Sequence, residues 1–359
     1  MADVIIIGGG IAGVSLGARL APEMEVLLLE AEPLLGYHAS GRSAALFEET
    51  YGLPSTVALN EASKNEHFTL GGGDLLSPRG LLLLDSADPG DFESDLAQMK
   101  MEEISAEEAR AKVPILNPER VARAGYHAEA WDIDTDRLIQ HFAREIRAHG
   151  GQVQPNATVS GMEKGARGWV VQTVKGNFEG PLLCNAAGAW VDKIAAMAGV
   201  TPLGFTPLRR SMARIAAPGG HDVSGWPMMF GPGETWYAKP DAGALIVSPA
   251  DEDSSEPMDA WPEDEVLAEG LSRYEEVMTE PVTRPLASWA GLRTFSPDRN
   301  LVIGFDAADP TFFWQAGQGG YGFQTSPAAS RFGADLILGR PSELDAATQG
   351  ALDPARFAN

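Results

Sequence analysis

The sequence predicts an α/β, Rossmann-like domain combined with an α+β domain built on a large mixed, mostly antiparallel sheet. Three observations predict it. The first thirty residues read strand, glycine turn, helix, strand. Residues 135–200 resume that strand–helix alternation. Between these lie segments richer in proline and aromatics, with short β-like runs such as "RGLLLLD", "RRSMARIAAP", "TWYAKPD" and "GALIVSP". The α/β domain is therefore discontinuous, over 1–45, 135–200 and 290–345. The second domain takes 46–134 and 201–289, and 346–359 form a C-terminal tail.

The first element is the β-branched run Val4 to Ile7, read as a buried parallel strand. Gly8, Gly10 and Gly13 follow as G-x-G-x-x-G. The first allows a sharp turn, the second lets a diphosphate reach the backbone, and the third lets the helix pack on the strand. The helix opening at Ile11 and Ala12 presents N–H donors to that diphosphate. The second strand, Val26 to Leu29, ends at Glu30 and Ala31. A carboxylate there accepts hydrogen bonds from a ribose diol and disfavours a 2′-phosphate. The motif predicts a dinucleotide and does not separate FAD from NAD.

"GYHASGRSAALF" (36–47) has two readings. It is a surface loop entering a helix with Ser43 near the cap, or a second wall for a diphosphate or flavin edge. "DIDTDRLIQHFAREIRAHGG" is an amphipathic helix, with Leu138, Phe142 and Ile146 on one face, Asp134 or Thr135 as cap and Gly150 at its end. "QVQPNATV" is a strand from which Val159 could meet an adenine. "GWVVQTV" with the turn "KGN" predicts a small β-meander. "PLLCNAAGAWVDKIAAMAGV" is strand, glycine turn and helix, with Cys184 in the core. Residues 250–265 read as a solvated acidic loop. Near the end, "AGQGGYGFQTSP" places four glycines, Gly317, Gly319, Gly320 and Gly322, just before a helix capped by Thr325 or Ser326, with Pro327 in its first turn.

Composition excludes several classes. The net charge is −23, from 27 Lys+Arg against 50 Asp+Glu, so nucleic acid and anionic membranes are poor partners. One cysteine permits neither a disulfide framework nor a cysteine metal cluster, and no metal is expected. No apolar run reaches the ~20 residues of a transmembrane helix. With the first strand starting at Val4 and no signal peptide expected before it, the sequence predicts a cytoplasmic protein.

The fingerprint, "GRSAA", "NAAGAW", "WAGLRTFSPD" and "QGGYGFQTSP" occur in an order that resembles the FAD-dependent D-amino acid oxidoreductases, from Asp3 to about Arg340. Within that family "GYHASGRSAA", "NAAGAWVDKIAAMAGVTPLGFTPLRRS", "DAGALIVSPA" and "QGGYGFQTS" are most similar to segments of bacterial D-arginine dehydrogenase. The resemblance implies FAD. It implies a flavin contact for Arg42, Ser43, Ala44, Ala45 and Leu46, for Ala187, Gly188 and Trp190, and for Gly291. The same holds for Gly319, Gly320, Tyr321, Gly322, Gln324 and Thr325, whose backbone N–H groups and helix dipole would favour a reduced flavin.

The resemblance also implies a substrate site. Arg293 matches the arginine that grips the substrate carboxylate, where a guanidinium offers a bidentate fork. Arg210, rather than Arg209, matches a second arginine. Tyr51 and Tyr237 match tyrosines whose hydroxyls approach the amino acid, and Gly320 (carbonyl) and Gln324 lie beside it. Three positions depart from D-arginine dehydrogenase. Leu81 replaces an acid, Leu46 a histidine, and Glu48 a threonine. The expected activity is therefore oxidative deamination of D-amino acids with uncharged side chains, by hydride transfer from Cα to flavin N5. Alternatives are a glycine or secondary-amine oxidoreductase on the same scaffold and, more remotely, an NAD-dependent dehydrogenase or a non-catalytic flavoprotein subunit. The electron acceptor, a quinone, a respiratory chain or O2, is not encoded in any motif.

Overall fold

The computed structural model describes residues 1–85 and 89–358. Its first sheet has six strands, in the order Val302–Phe305, Phe312–Ala316, Leu182–Asn185, Val4–Ile7, Val26–Leu29 and Gln152–Gln154. All neighbours are parallel except the first pair. Both faces are covered, which is why these strands are nearly continuous runs of apolar residues. On one face the helices Ile11–Leu20, Thr135–Ala148 and Gly322–Leu338 share a core built on Val14, Leu138, Phe142 and Phe332. On the other, the helix Val191–Met197 and the three-stranded meander Val159–Gly165, Gly168–Thr173 and Gly176–Gly180 pack through Trp169, Val171 and Val191.

The second sheet has eight strands, in the order Pro285–Phe295, Thr206–Ala216, Ala244–Ser248, Tyr237–Asp241, Met228–Phe230, Leu81–Leu84, Arg123–His127 and Glu102–Ser105. Only the pair Met228–Phe230 and Leu81–Leu84 is parallel. A small sheet of Leu46–Glu48, Ala130–Ile133 and Leu76–Pro78 lies beside it. A partly buried ion-pair cluster ties the two together. Lys239 Nζ lies 2.9 Å from Asp132 Oδ1 and 3.3 Å from the Ala45 carbonyl, and Arg79 Nη2 lies 2.6 Å from Asp132 Oδ2.

The helix Thr135–Ala148 starts as expected, with the Asp134 carboxylate accepting from the Arg137 N–H at 3.0 Å. Other elements differ from the sequence reading. Residue 290, where the sequence reading sets a boundary, falls inside the strand Pro285–Phe295. That strand needs Thr206–Ala216 as its partner, a pairing across some eighty residues of chain that no local pattern announces. Residues 346–359 are not simply a tail. Asp345 caps a helix, Ala346–Leu352, and Leu352 is fully buried in the first core. Ser43 caps no helix either. Residues 39–42 form a 3-10 turn, and the chain then enters the strand Leu46–Glu48. Among the described residues no helix is long and apolar enough to cross a membrane.

Candidate active site

One large cavity, of about 1510 Å³ including its open mouth, lies between the two large sheets. Its floor at one end is the first glycine turn. Gly8 has φ +110°, and a Cβ there would meet the Ala186 carbonyl oxygen at 2.4 Å. A Cβ on Gly13 would lie 2.0 Å from the Gly8 carbonyl oxygen. These glycines set the strand–helix approach, and Gly10, Ile11 and Ala12 then form the wall. Segment 36–43 folds over the turn, with the Ile11 N–H donating to Ser40 Oγ at 3.1 Å and the Gly36 N–H to the Gly9 carbonyl at 3.0 Å. Ala39, Ser40, Arg42, Ser43, Ala44 and Ala45 line the cavity, as a second wall. Arg42 is held there by the Ala290 carbonyl at 2.9 Å and Asp259 at 2.5 Å.

The late glycine loop forms the opposite wall. The helix begins at Gly322 behind Tyr321, three residues earlier than Thr325, and Pro327 lies inside it. Thr325 and Ser326 do not cap it: their hydroxyls donate to the Tyr321 and Phe323 carbonyls, both at 2.9 Å. Ser326 thereby occupies the carbonyl that the missing Pro327 N–H cannot. Gly319 has φ +51° and lies so close to Phe295 that a Cβ would come within 2.4 Å of its ring. A Cβ on Gly320 would lie 3.0 Å from Arg293 Nη1. The bare backbone therefore makes room for Arg293 as well as for a ligand. Buried His67 donates through Nε2 to the Gln324 carbonyl at 2.8 Å, and burial pushes its pKa down to about 4. Gln324 Nε2 in turn donates to the Tyr51 carbonyl at 3.2 Å.

The polar centre is a group of arginines around one carboxylate. Arg293 Nη2 is hydrogen-bonded to Glu252 Oε1, Arg210 Nη2 lies 3.5 Å from the same oxygen, and Arg299 Nη2 lies 3.0 Å from both oxygens. Burial pushes Glu252 up, but Arg299, Arg293 and Arg210 outweigh it and hold its carboxyl below the ordinary value. Burial, and then Arg210, lower the pKa of Arg293. Arg209 faces away, as strand alternation requires, and pairs with Glu263 at 2.5 Å and Asp253 at 3.2 Å. Tyr237 carries the Arg210 guanidinium 5.8 Å from its ring centre. Burial, with Glu234 beside it, raises the Tyr51 hydroxyl well above the ordinary phenol value, so it remains a donor. The remaining wall is mostly apolar, with Leu46, Leu81, Met99, Met212, Met228 and Phe230, and carries Glu48 and Glu234 beside them.

The sequence profile described as FAD dependent oxidoreductase matches residues 3–336. This chain belongs to that family. Similar relatives include FAD-dependent oxidoreductase domain-containing protein 1 of Bos taurus, 25% identical over 94% of this chain and 81% of that protein. Glycine oxidase of Pseudomonas aeruginosa is 27% identical over 96% and 97%. Among solved structures, L-proline dehydrogenase from P. horikoshii superposes with a TM-score of 0.84 at 24% identity, over 99% and 97%.

FAD is the cofactor of this flavoprotein family, and the cavity fits it. The helices Ile11–Leu20 and Gly322–Leu338 both open onto it without a side-chain cap or an acid in the first turn. Two N-termini free of acids, the first giving only its Ile11 N–H to Ser40 Oγ, suit a diphosphate and an electron-rich ring edge. Thr294 Oγ1, Gln315 Oε1 and Gln318 Nε2 are buried on residues of the same wall without partners, as a polar ligand requires.

Of the residues singled out in the sequence, Tyr51, Arg210, Tyr237, Arg293, Gly320 and Gln324 all line this cavity, as do Gly188, Gly291, Gly319 and Gly322. Gly8, Gly13, Glu30, Ala31, Val159, Ala187, Trp190, Tyr321 and Thr325 do not. Glu30 accepts from the Gly9 N–H at 2.6 Å and the Glu32 N–H at 2.8 Å, and burial still raises its pKa. Trp190 packs against His38 with tilted rings, centres 4.6 Å apart, and Tyr321 packs likewise against Tyr51 at 5.4 Å. Sequence reading misses Met99, Met212, Met228, Phe230 and Glu234 as lining residues and takes Glu252 for part of a solvated loop. None sits in a motif, and several come from strands that meet only in the second sheet.

Proposed function

We propose that this oxidoreductase deaminates D-amino acids with uncharged side chains. The observation that carries the reading is the pair Arg293 and Arg210, which line the cavity and already hold one carboxylate, that of Glu252. A substrate carboxylate would take its place on those arginines. Tyr51 and Tyr237 would add hydroxyl donors, and the Gly320 carbonyl would accept from the amine. FAD, when bound, supplies the acceptor for the two electrons and hydrogen that the substrate Cα gives up, and water then hydrolyses the imine to a 2-oxo acid and ammonia. The amine must be uncharged for its lone pair to form the C=N bond. The apolar wall excludes water and suits an uncharged side chain. The loss of an acid at Leu81 and the resemblance to D-arginine dehydrogenase support the same assignment.

The full-length similarity to a glycine oxidase favours glycine or a secondary amine as a second reading. The lining by Met99, Met228 and Phe230 favours a longer side chain. The test is anaerobic bleaching of the yellow protein with paired D- and L-amino acids, glycine and sarcosine, then reoxidation by air or a quinone. Bleaching by D-Leu, D-Met or D-Phe is expected. A kcat/KM for D-arginine far above theirs, or bleaching by glycine and sarcosine alone, defeats the proposal.

A further inference from the structure

We infer that Glu48 selects the substrate side chain, taking a neutral terminus that both donates and accepts hydrogen bonds: a carboxamide or a hydroxyl. This rests on the amino acid reading above and specifies its side-chain pocket.

Glu48 ends the strand Leu46–Glu48, where residues two apart share a face, and both Leu46 and Glu48 line the cavity. The residue is 2% exposed. Its two oxygens differ. Oε1 accepts from the Thr50 N–H at 3.1 Å and the Thr50 hydroxyl at 2.9 Å, with His127 Nε2 at 3.5 Å. Oε2 is buried and has no partner. Among the described residues the strand pairs with Ala130–Ile133, and no group donates to or accepts from that oxygen. A buried polar atom without a partner at a cavity wall asks for a ligand to supply one.

The chemistry of that ligand follows from both protonation states. The ionised carboxylate accepts through Oε2. In the neutral acid Oε1 is already doubly engaged as an acceptor, so the proton belongs on Oε2, which then donates. Burial raises the Glu48 pKa above the ordinary carboxylate value despite the Thr50 hydrogen bonds, so the neutral form gains weight. An ammonium or guanidinium satisfies only the ionised form and would be desolvated against Leu81, Met99 and Phe230. A methyl terminus satisfies neither form. A carboxamide or hydroxyl satisfies both.

The test compares the wild-type holoenzyme with Glu48→Gln and Glu48→Leu. D-glutamine and D-methionine, of similar length, are assayed for kcat and KM. Two unreactive carboxylates, the mono-amide of glutaric acid and hexanoate, are titrated by their perturbation of the flavin absorbance. The wild type is expected to bind the mono-amide at least about tenfold more tightly than hexanoate, the scale of losing one hydrogen bond to a buried polar group. Glu48→Leu should remove or reverse that ratio, with the D-glutamine loss in KM rather than kcat, while Glu48→Gln keeps the ratio within about threefold. Equal binding of the two ligands by the wild type overturns the inference, whether or not the leucine variant folds. So does a leucine variant that weakens both ligands equally. If no D-amino acid reduces the flavin while the mono-amide preference and its loss persist, amine oxidation is refuted and the role of Glu48 stands.

Discussion

Arg293 and Glu252 should give mutational effects of opposite sign. The Arg293 side chain is 15% exposed, holds Glu252 through Nη2, and is packed beneath Gly320. If it anchors the substrate carboxylate, Arg293→Ala removes one partner of a largely desolvated, hydrogen-bonded charge pair. Such truncations cost about 2–5 kcal/mol, which is roughly a 30- to 5,000-fold loss in kcat/KM. Arg293→Lys keeps the charge but loses the planar fork, and should fall between wild type and alanine. Glu252 is 37% exposed, so solvent screens its hold on the arginines to about 0–1 kcal/mol. Glu252→Gln removes an internal competitor and leaves Arg210, Arg293 and Arg299 facing one another. The affinity for carboxylates should then rise by up to about fivefold. Steady-state kinetics with D-methionine, and flavin-perturbation titration with hexanoate, measure both effects. An Arg293→Ala enzyme with unchanged KM, or a Glu252→Gln enzyme with weaker carboxylate binding, would show that the guanidinium cluster is an internal ion-pair network and nothing more.

Gly13→Ala places a methyl 2.0 Å from the Gly8 carbonyl, so the helix must move outward; we expect a loss of about 1–3 kcal/mol and weakened FAD retention, read by thermal melting and by the flavin-to-protein absorbance ratio. Gly319→Ala adds a backbone strain of about 1–2 kcal/mol to a clash with Phe295, and should lower kcat/KM by displacing the Arg293 wall. His67 gives a pH signature. Its pKa is about 4 in the native protein against 6.5 ordinarily, so above pH 6.5 it costs nothing, and between 6.5 and 4 only the unfolded chain binds the proton. Its contribution to stability therefore falls with pH by up to about 1.4 kcal/mol per unit. Denaturant melts of His67→Gln should show a shallower acid decline than wild type over that window, and parallel curves would refute the assignment.

The sequence by itself determines the dinucleotide half of the molecule, because its requirements are local. Gly8 and Gly13 meet backbone within a few residues or on an adjacent strand, and Asp134 caps a helix three residues away. The family resemblance carried Arg293, Arg210, Tyr51 and Tyr237 to one cavity, where the structure gathers them. The start of the last helix was not legible, because Pro327 ordinarily marks a first turn and the Ser326 hydroxyl offsets its missing hydrogen bond inside this one. The substrate pocket was less legible still. Leu81, Met228 and Phe230 become neighbours only through a parallel pairing of strands almost 150 residues apart, and Glu252 reaches the arginines from a loop whose composition reads as solvent-facing. Side-chain periodicity reports which face of an element is buried. Which distant faces then meet around a ligand is decided by strand order and packing, and only the tertiary structure contains those.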